Sequence, residues 1–163
     1  MKRTLLVAIA LGGAVGAYLY WASDERQIRR LLDGVADAVT QEEGTGGVAA
    51  LAEVTGLTRY LAPDVAFEPG EPFRPITGAQ DVVSTVGRVR AVMTAVELVF
   101  SDVQVAVDGS TASVRTTARL TLEDRNGDQS VETREALIAL AERETGWVIT
   151  TARAQTRPCP HVG

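Results

Sequence analysis

Residues 96–124 read VELVFSDVQVAVDGSTASVRTTARLTLED. Beyond Asp108-Gly109, a strong two-residue hairpin signal, Ala112, Val114, Thr116, Ala118, Leu120 and Leu122 alternate with Ser113, Arg115, Thr117, Arg119, Thr121 and Glu123. That period of two specifies a strand with one buried face and one wet face. Before the turn, Val96, Leu98 and Phe100 share one phase while Val103, Val105 and Val107 share the other. A regular strand cannot change face, so the slip predicts a β-bulge near Ser101-Asp102 and a sharply bent sheet.

Working outward, Asn126-Gly127 and Thr145-Gly146 mark two further turns. Four antiparallel strands are predicted, at about 96–107, 111–124, 129–143 and 147–156. The third is apolar on both sides from Ala136 to Ala141, as expected of a central strand or of one facing a partner. Upstream, Ile28, Leu31, Leu32, Val35 and Val39 fall on one helical face, predicting a helix over about 24–42 with Asp24 and Glu25 at the positive end of its dipole. GTGG at 44–47 breaks it, and a second helix is expected over about 48–61, with Val54, Leu57 and Leu61 inward and Gly56 as its weak point. Pro63 and Asp64 stop it. VAFEPGEPFRPI, residues 65–76, predicts a small proline-limited edge hairpin, and Thr77 with Gln80 has capping-box spacing for a third helix over about 78–94.

The N-terminus is of another kind. Residues 4–21, TLLVAIALGGAVGAYLYW, follow Lys2 and Arg3. As a helix, eighteen residues rise about 27 Å, close to a bilayer's hydrocarbon thickness. Basic residues before the segment and Tyr18, Tyr20 and Trp21 at its end favour one orientation, with the remainder outside the cytoplasm. A single-pass anchor is the preferred reading; a signal segment cleaved after Ala17 is the alternative, giving a secreted or periplasmic protein. No lipobox cysteine follows. Ala8, Gly12 and Gly16 recur every four residues, a spacing that lets membrane helices pair and makes a homodimer one expectation. Residues 1–22 are therefore read as the membrane segment, 23–156 as one domain and 157–163 as a disordered tail.

Three helices, a small hairpin before the third, and a bent four-stranded meander form the element order of the nuclear transport factor 2-like superfamily, which the chain resembles from about Ser23 to Thr156. The likeness rests on DERQIRRLLDGVADAV, on RYLAPDVAFEP with ITGAQDVVSTV, on FSDVQVAVDGSTASVRTTARLTL and on the closing GWVITTARA. The resemblance, to its SnoaL-like members in particular, implies an α+β cone with helices over a concave sheet and a pocket at the wide end. A cystatin-like arrangement, one helix across a meander, is disfavoured by three separate helical stretches. The superfamily includes isomerases, dehydratases and cyclases, non-enzymatic binding modules and envelope scaffold subunits, and fold alone does not choose among them.

The net charge is −5 overall and more negative still beyond Lys2 and Arg3, which disfavours a nucleic-acid partner. The one cysteine and one histidine, Cys159 and His161, lie in the proline-flanked tail, and no metal-binding spacing occurs, so neither a metal nor a cofactor is expected. The candidates for a general base are Asp102, at the expected bulge, and Glu135, which shares parity with Leu137 and Ala139. A surface ladder of Arg115, Arg119, Glu132 and Arg134 accounts for the nearby charges without a site. Tyr60, Phe73, Phe100, Glu135 and Trp147 are the candidate pocket residues. The leading expectation is a membrane-tethered, non-catalytic domain binding an apolar small molecule or a protein partner; the alternatives are a tethered isomerase or dehydratase and an envelope scaffold.

Overall fold

The computed structural model describes residues 23–43, 48–71 and 73–155. The apolar segment at 4–21, the GTGG break and the tail at 157–163 lie outside them. Among the described residues no helix is long and apolar enough to cross a membrane.

Residues 23–39 form helix α1. Its stripe packs as the periodicity predicts, with Ile28, Leu31, Leu32 and Val35 buried and Val39 partly so. Helix α2 (Val48–Gly56) ends at the glycine and continues as a 3-10 turn, Leu57–Tyr60. Val54 and Leu57 point inward as expected, but Leu61 is buried from a strand rather than from the helix. Strand β1 (Leu61–Glu68) carries Pro63 within it; the residue is accommodated in a register irregularity between Leu61 and Ala66, where no ladder donor is required. Strand β2 (Ile76–Thr77) closes the hairpin, with Ala66 opposite Thr77 and Phe67 opposite Ile76. Helix α3 (Ala79–Val92) starts from Gly78, which makes no side-chain cap. The capping box expected from Thr77 is absent because Thr77 belongs to β2.

The meander matches the alternation almost to the residue: β3 (Ala95–Asp108), β4 (Thr111–Glu123), β5 (Gln129–Arg143) and β6 (Gly146–Gln155). The predicted bulge is present. The β3/β4 register shifts between Ser101 and Gln104, and Asp102 takes φ 53°, the left-handed region. Thr116, opposite this irregularity, donates its hydroxyl to the Ser101 carbonyl at 2.7 Å.

The sheet differs in one pairing from the antiparallel sheet expected, a four-stranded meander plus a small edge hairpin. It has six strands in the order β2-β1-β6-β5-β4-β3, because β1 pairs in parallel with β6. The last strand among the described residues therefore lies inside the sheet, and β3 is an edge. Helix α1 and the two residues after it cover that edge: Arg29 donates to the Val103 carbonyl at 3.0 Å, the Thr40 hydroxyl accepts from the Leu98 amide at 3.2 Å, and Gln41 forms a backbone bridge with Val96.

The helices are joined through Arg90 of α3, 5% exposed. Its guanidinium donates to Gln41 Oε1 at 2.9 Å, to the Ala38 carbonyl in the last turn of α1 at 2.9 Å, and to Glu53 Oε2 of α2 at 3.0 Å. Gly34 serves a second close approach, since a Cβ there would stand 2.2 Å from the Tyr60 hydroxyl.

Candidate functional site

Register divides the sheet into two faces. Ile138 and Leu140 of β5 belong to the core under the helices, so Ala136, Arg134 and Glu132 share that concave face, while Leu137, Glu135 and Thr133 face outward. Opposite Ile138 stands Val114, and opposite Leu140 stands Ala112, both buried.

Along β4 the inward side chains pass from buried at Ala112, Val114 and Thr116 to half-buried at Ala118, Leu120 and Leu122. Phe100 of β3, Ala136 of β5 and Ala152 and Ala154 of β6 are half-buried as well. One end of the concave face is thus sealed by core, and the other is open, floored by alanines.

A charged pair lies across the open end. Phe100, Ala118 and Arg134 form one cross-strand row, and Leu98, Leu120 and Glu132 form the next. Arg134 Nη2 donates to Glu132 Oε1 at 2.5 Å. Nη1 reaches the Pro69 carbonyl at 2.7 Å, and both terminal nitrogens lie within 3.4 Å of the Glu71 carbonyl. Gly70 makes this crossing possible: it has φ 78°, and a Cβ there would meet Arg134 Nη1 at 3.0 Å. The guanidinium also lies 5.9 Å from the centre of the Phe73 ring, itself 56% exposed. The arginine side chain is only 18% exposed, whereas that of Glu132 is 48% exposed. Carbonyl dipoles hold the cation in place, and a half-solvated carboxylate neutralises it.

A family model for the SnoaL-like domain matches residues 47–153. The chain belongs to the SnoaL-like family. No curated protein matches its sequence. Among solved structures, this SnoaL-like domain is similar to a nuclear transport factor 2-like protein with a cystatin-like fold from Novosphingobium aromaticivorans (14% identity, TM-score 0.71, 90% of each chain covered). It is also similar to a protein of the same organism named provisionally as a scytalone dehydratase (12% identity, TM-score 0.69, 84% of this chain and 86% of the other). A third relative, from Streptomyces avermitilis, is named provisionally as a dehydratase of the nuclear transport factor 2-like family (17% identity, TM-score 0.65, 82% of this chain and 96% of the other). At these identities the likeness establishes the fold.

Within the SnoaL-like fold the candidate residues separate. Phe100 and Phe73 both belong to the open end, Phe100 in the cross-strand row that ends at Arg134 and Phe73 beside the Arg134 guanidinium. Tyr60 packs against Gly34 of α1 and carries the Arg59 guanidinium 4.7 Å from its ring centre. Trp147 is a core residue, 6% exposed, at the start of β6 opposite Glu142; its Nε1 and Asp24 Oδ2 are buried without a hydrogen-bond partner among the described residues. Glu135 lies on the outward face between Thr117 and Gln155, not in the concave mouth. Asp102 is exposed at the bulge. Neither proposed base lines the concave surface.

The expected charge ladder is divided as well. Arg115 and Arg119 stand on the outer face, while Glu132 and Arg134 point to the inner one, because the register pairs Arg119 with Thr133 and Arg115 with Leu137. Arg134 was hidden from the sequence reading by the apolar run on both sides of β5; counting back in twos from Ile138 and Leu140 is the signal that finds it. The outer face has its own recess of about 620 Å³, with Leu137, Ala139 and Ala106 flanked by Arg115 and Arg153. Among the described residues no group of histidine, cysteine or carboxylate side chains is placed to hold a metal.

Proposed function

We propose that this SnoaL-like domain binds a small apolar molecule at the open end of its concave sheet, and that residues 4–21 tether it to a membrane with the domain outside the cytoplasm. The observation carrying the binding reading is the fall in burial along β4 and across its neighbours, which leaves an alanine floor beside Phe100 and Phe73. Small side chains at Ala118, Ala136, Ala152 and Ala154 give room for a ring system, and the surface is apolar enough to favour it over water. Inward carboxylates placed for proton transfer are not needed for this role.

The test uses the full chain in lipid nanodiscs, titrated calorimetrically with 2-naphthamide, with empty discs subtracted. Binding to the wild type, lost in Ala136→Trp with an unchanged melting temperature, is expected. Equal binding by both proteins overturns the reading. Topology is tested at Cys159, the sole cysteine. In intact cells a membrane-impermeant maleimide labels it if the C-terminal side is outside; labelling only after lysis overturns the tether's orientation.

A second reading, self-association through the outer face, is favoured by Leu137 and Ala139 in the outer recess together with Val99 and Val131, which are 43% and 50% exposed. Leu137→Arg abolishes dimers in sedimentation if this face is the interface.

A further inference from the structure

The binding proposal leaves open what kind of molecule the mouth selects. We propose that the ligand is an apolar carboxylate, that Arg134 is the residue recognising its anionic group, and that Glu132 is the internal carboxylate with which the ligand competes. This inference rests on the reading of the open end as a binding site.

Arg134's carbonyl partners, Pro69 and Glu71, are bound through Nη1 and Nη2 and fix the guanidinium's position without cancelling its charge. None of these bonds uses Nε. The Nε/Nη2 edge is the one that grips a carboxylate two-pronged in this protein: Arg153 holds Glu68 through Nε at 2.6 Å and Nη2 at 3.1 Å, and Arg29 holds Glu25 through Nε at 3.0 Å and Nη2 at 2.8 Å. On Arg134 that edge meets Glu132 through one oxygen on Nη2 alone.

Glu132 is the exchangeable partner. It sits next to Arg134 on the concave face, two residues away on the same strand, and half of its side chain is in water. When it swings out, its charge returns to solvent at little cost, because a half-exposed ion pair contributes little. An incoming carboxylate takes Nε and Nη2 together, and the net charge beside the alanine floor is unchanged. A neutral ligand obtains the floor and the aromatic contacts but not the fork. The ligand's apolar body would then lie over Ala118 and Ala136, with Phe100 at one end of the row and Phe73 over the guanidinium.

The test compares 2-naphthoate with 2-naphthamide, which share size and shape but differ in charge, on the full chain in nanodiscs. The wild type is expected to bind naphthoate more tightly. Glu132→Gln removes the internal competitor and tightens naphthoate by about two- to five-fold, leaving naphthamide unchanged. Arg134→Gln weakens naphthoate by about ten- to a hundred-fold with a smaller effect on naphthamide. Because Arg134 also holds the 69–71 loop, the Glu132→Gln arm decides independently of any loosening there. Naphthamide binding as tightly as naphthoate, or a Glu132→Gln protein with unaltered naphthoate affinity, overturns the carboxylate assignment while the apolar site stands. Failure of both ligands to bind the wild type removes the site itself, and the assignment with it.

Discussion

Replacing Arg90 by methionine removes a guanidinium that is 3% exposed and that holds α1, α2 and α3 together. Two opposing effects set the size of the loss. Desolvating a guanidinium is costly, so a well-packed apolar substitute recovers part of the free energy. Methionine nevertheless leaves the Ala38 carbonyl and the Gln41 amide oxygen without their donor, at about 1–3 kcal/mol for each group that stays buried. Glu53, 51% exposed, returns to water and adds little. The net expectation is a loss of about 2–4 kcal/mol, a large part of the stability of a domain this size. Glu53→Gln gives a contrasting result: Arg90 keeps its bonds to Gln41 and Ala38, and the loss is about 1 kcal/mol or less. Urea unfolding followed by far-ultraviolet circular dichroism gives both values from midpoint and slope. A Glu53→Gln protein as damaged as Arg90→Met would refute the reasoning, since the salt bridge rather than the satisfied α1 terminus would then dominate. So would an Arg90→Met protein of wild-type stability.

Three further outcomes can be checked by similar means. Gly34→Ala lowers stability by about 1–2 kcal/mol in urea despite alanine's better helix propensity, because its Cβ displaces the Tyr60 ring; in a Tyr60→Leu background the same change is neutral or stabilising. Asp102→Val costs about 1–2 kcal/mol because of the left-handed backbone at the bulge, while Asp102→Gly is tolerated, as read from thermal melts. Asp124 accepts the Asn126 and Asp128 amides at 2.8 and 3.0 Å, bonds that hold its carboxyl below the ordinary aspartate range. With the folded value depressed, its contribution is present above the unfolded value near pH 4 and is lost as pH falls through the folded one, so Asp124→Asn flattens the acid limb of a stability–pH profile without adding a loss once the carboxyl is protonated in both states.

How much of this was legible depends on whether the signal was local. The bulge was, because Phe100 and Val103 cannot share a face without an extra residue between them. The meander was, because each turn carries its own glycine. The parallel β1/β6 pair was not: its partners lie more than eighty residues apart, and Pro63 inside β1 resembles a helix stop. The open mouth was half legible. The inward row of β4 gave its apolar character, but the drop in burial after Thr116 depends on where the helices end. Arg134 resembled a surface charge because β5 is apolar on both faces, and its approach to the 69–71 loop depends on Gly70, whose lack of a side chain carries meaning only once the strands are in place.

The interior position of β6 also orders events during synthesis. Until residues 146–155 have emerged, β1 and β5 both wait with unpaired backbone, and the sheet exists as two separate pieces. A chain stalled or cut at the Thr145-Gly146 turn therefore presents two adhesive borders where the folded domain has a continuous sheet.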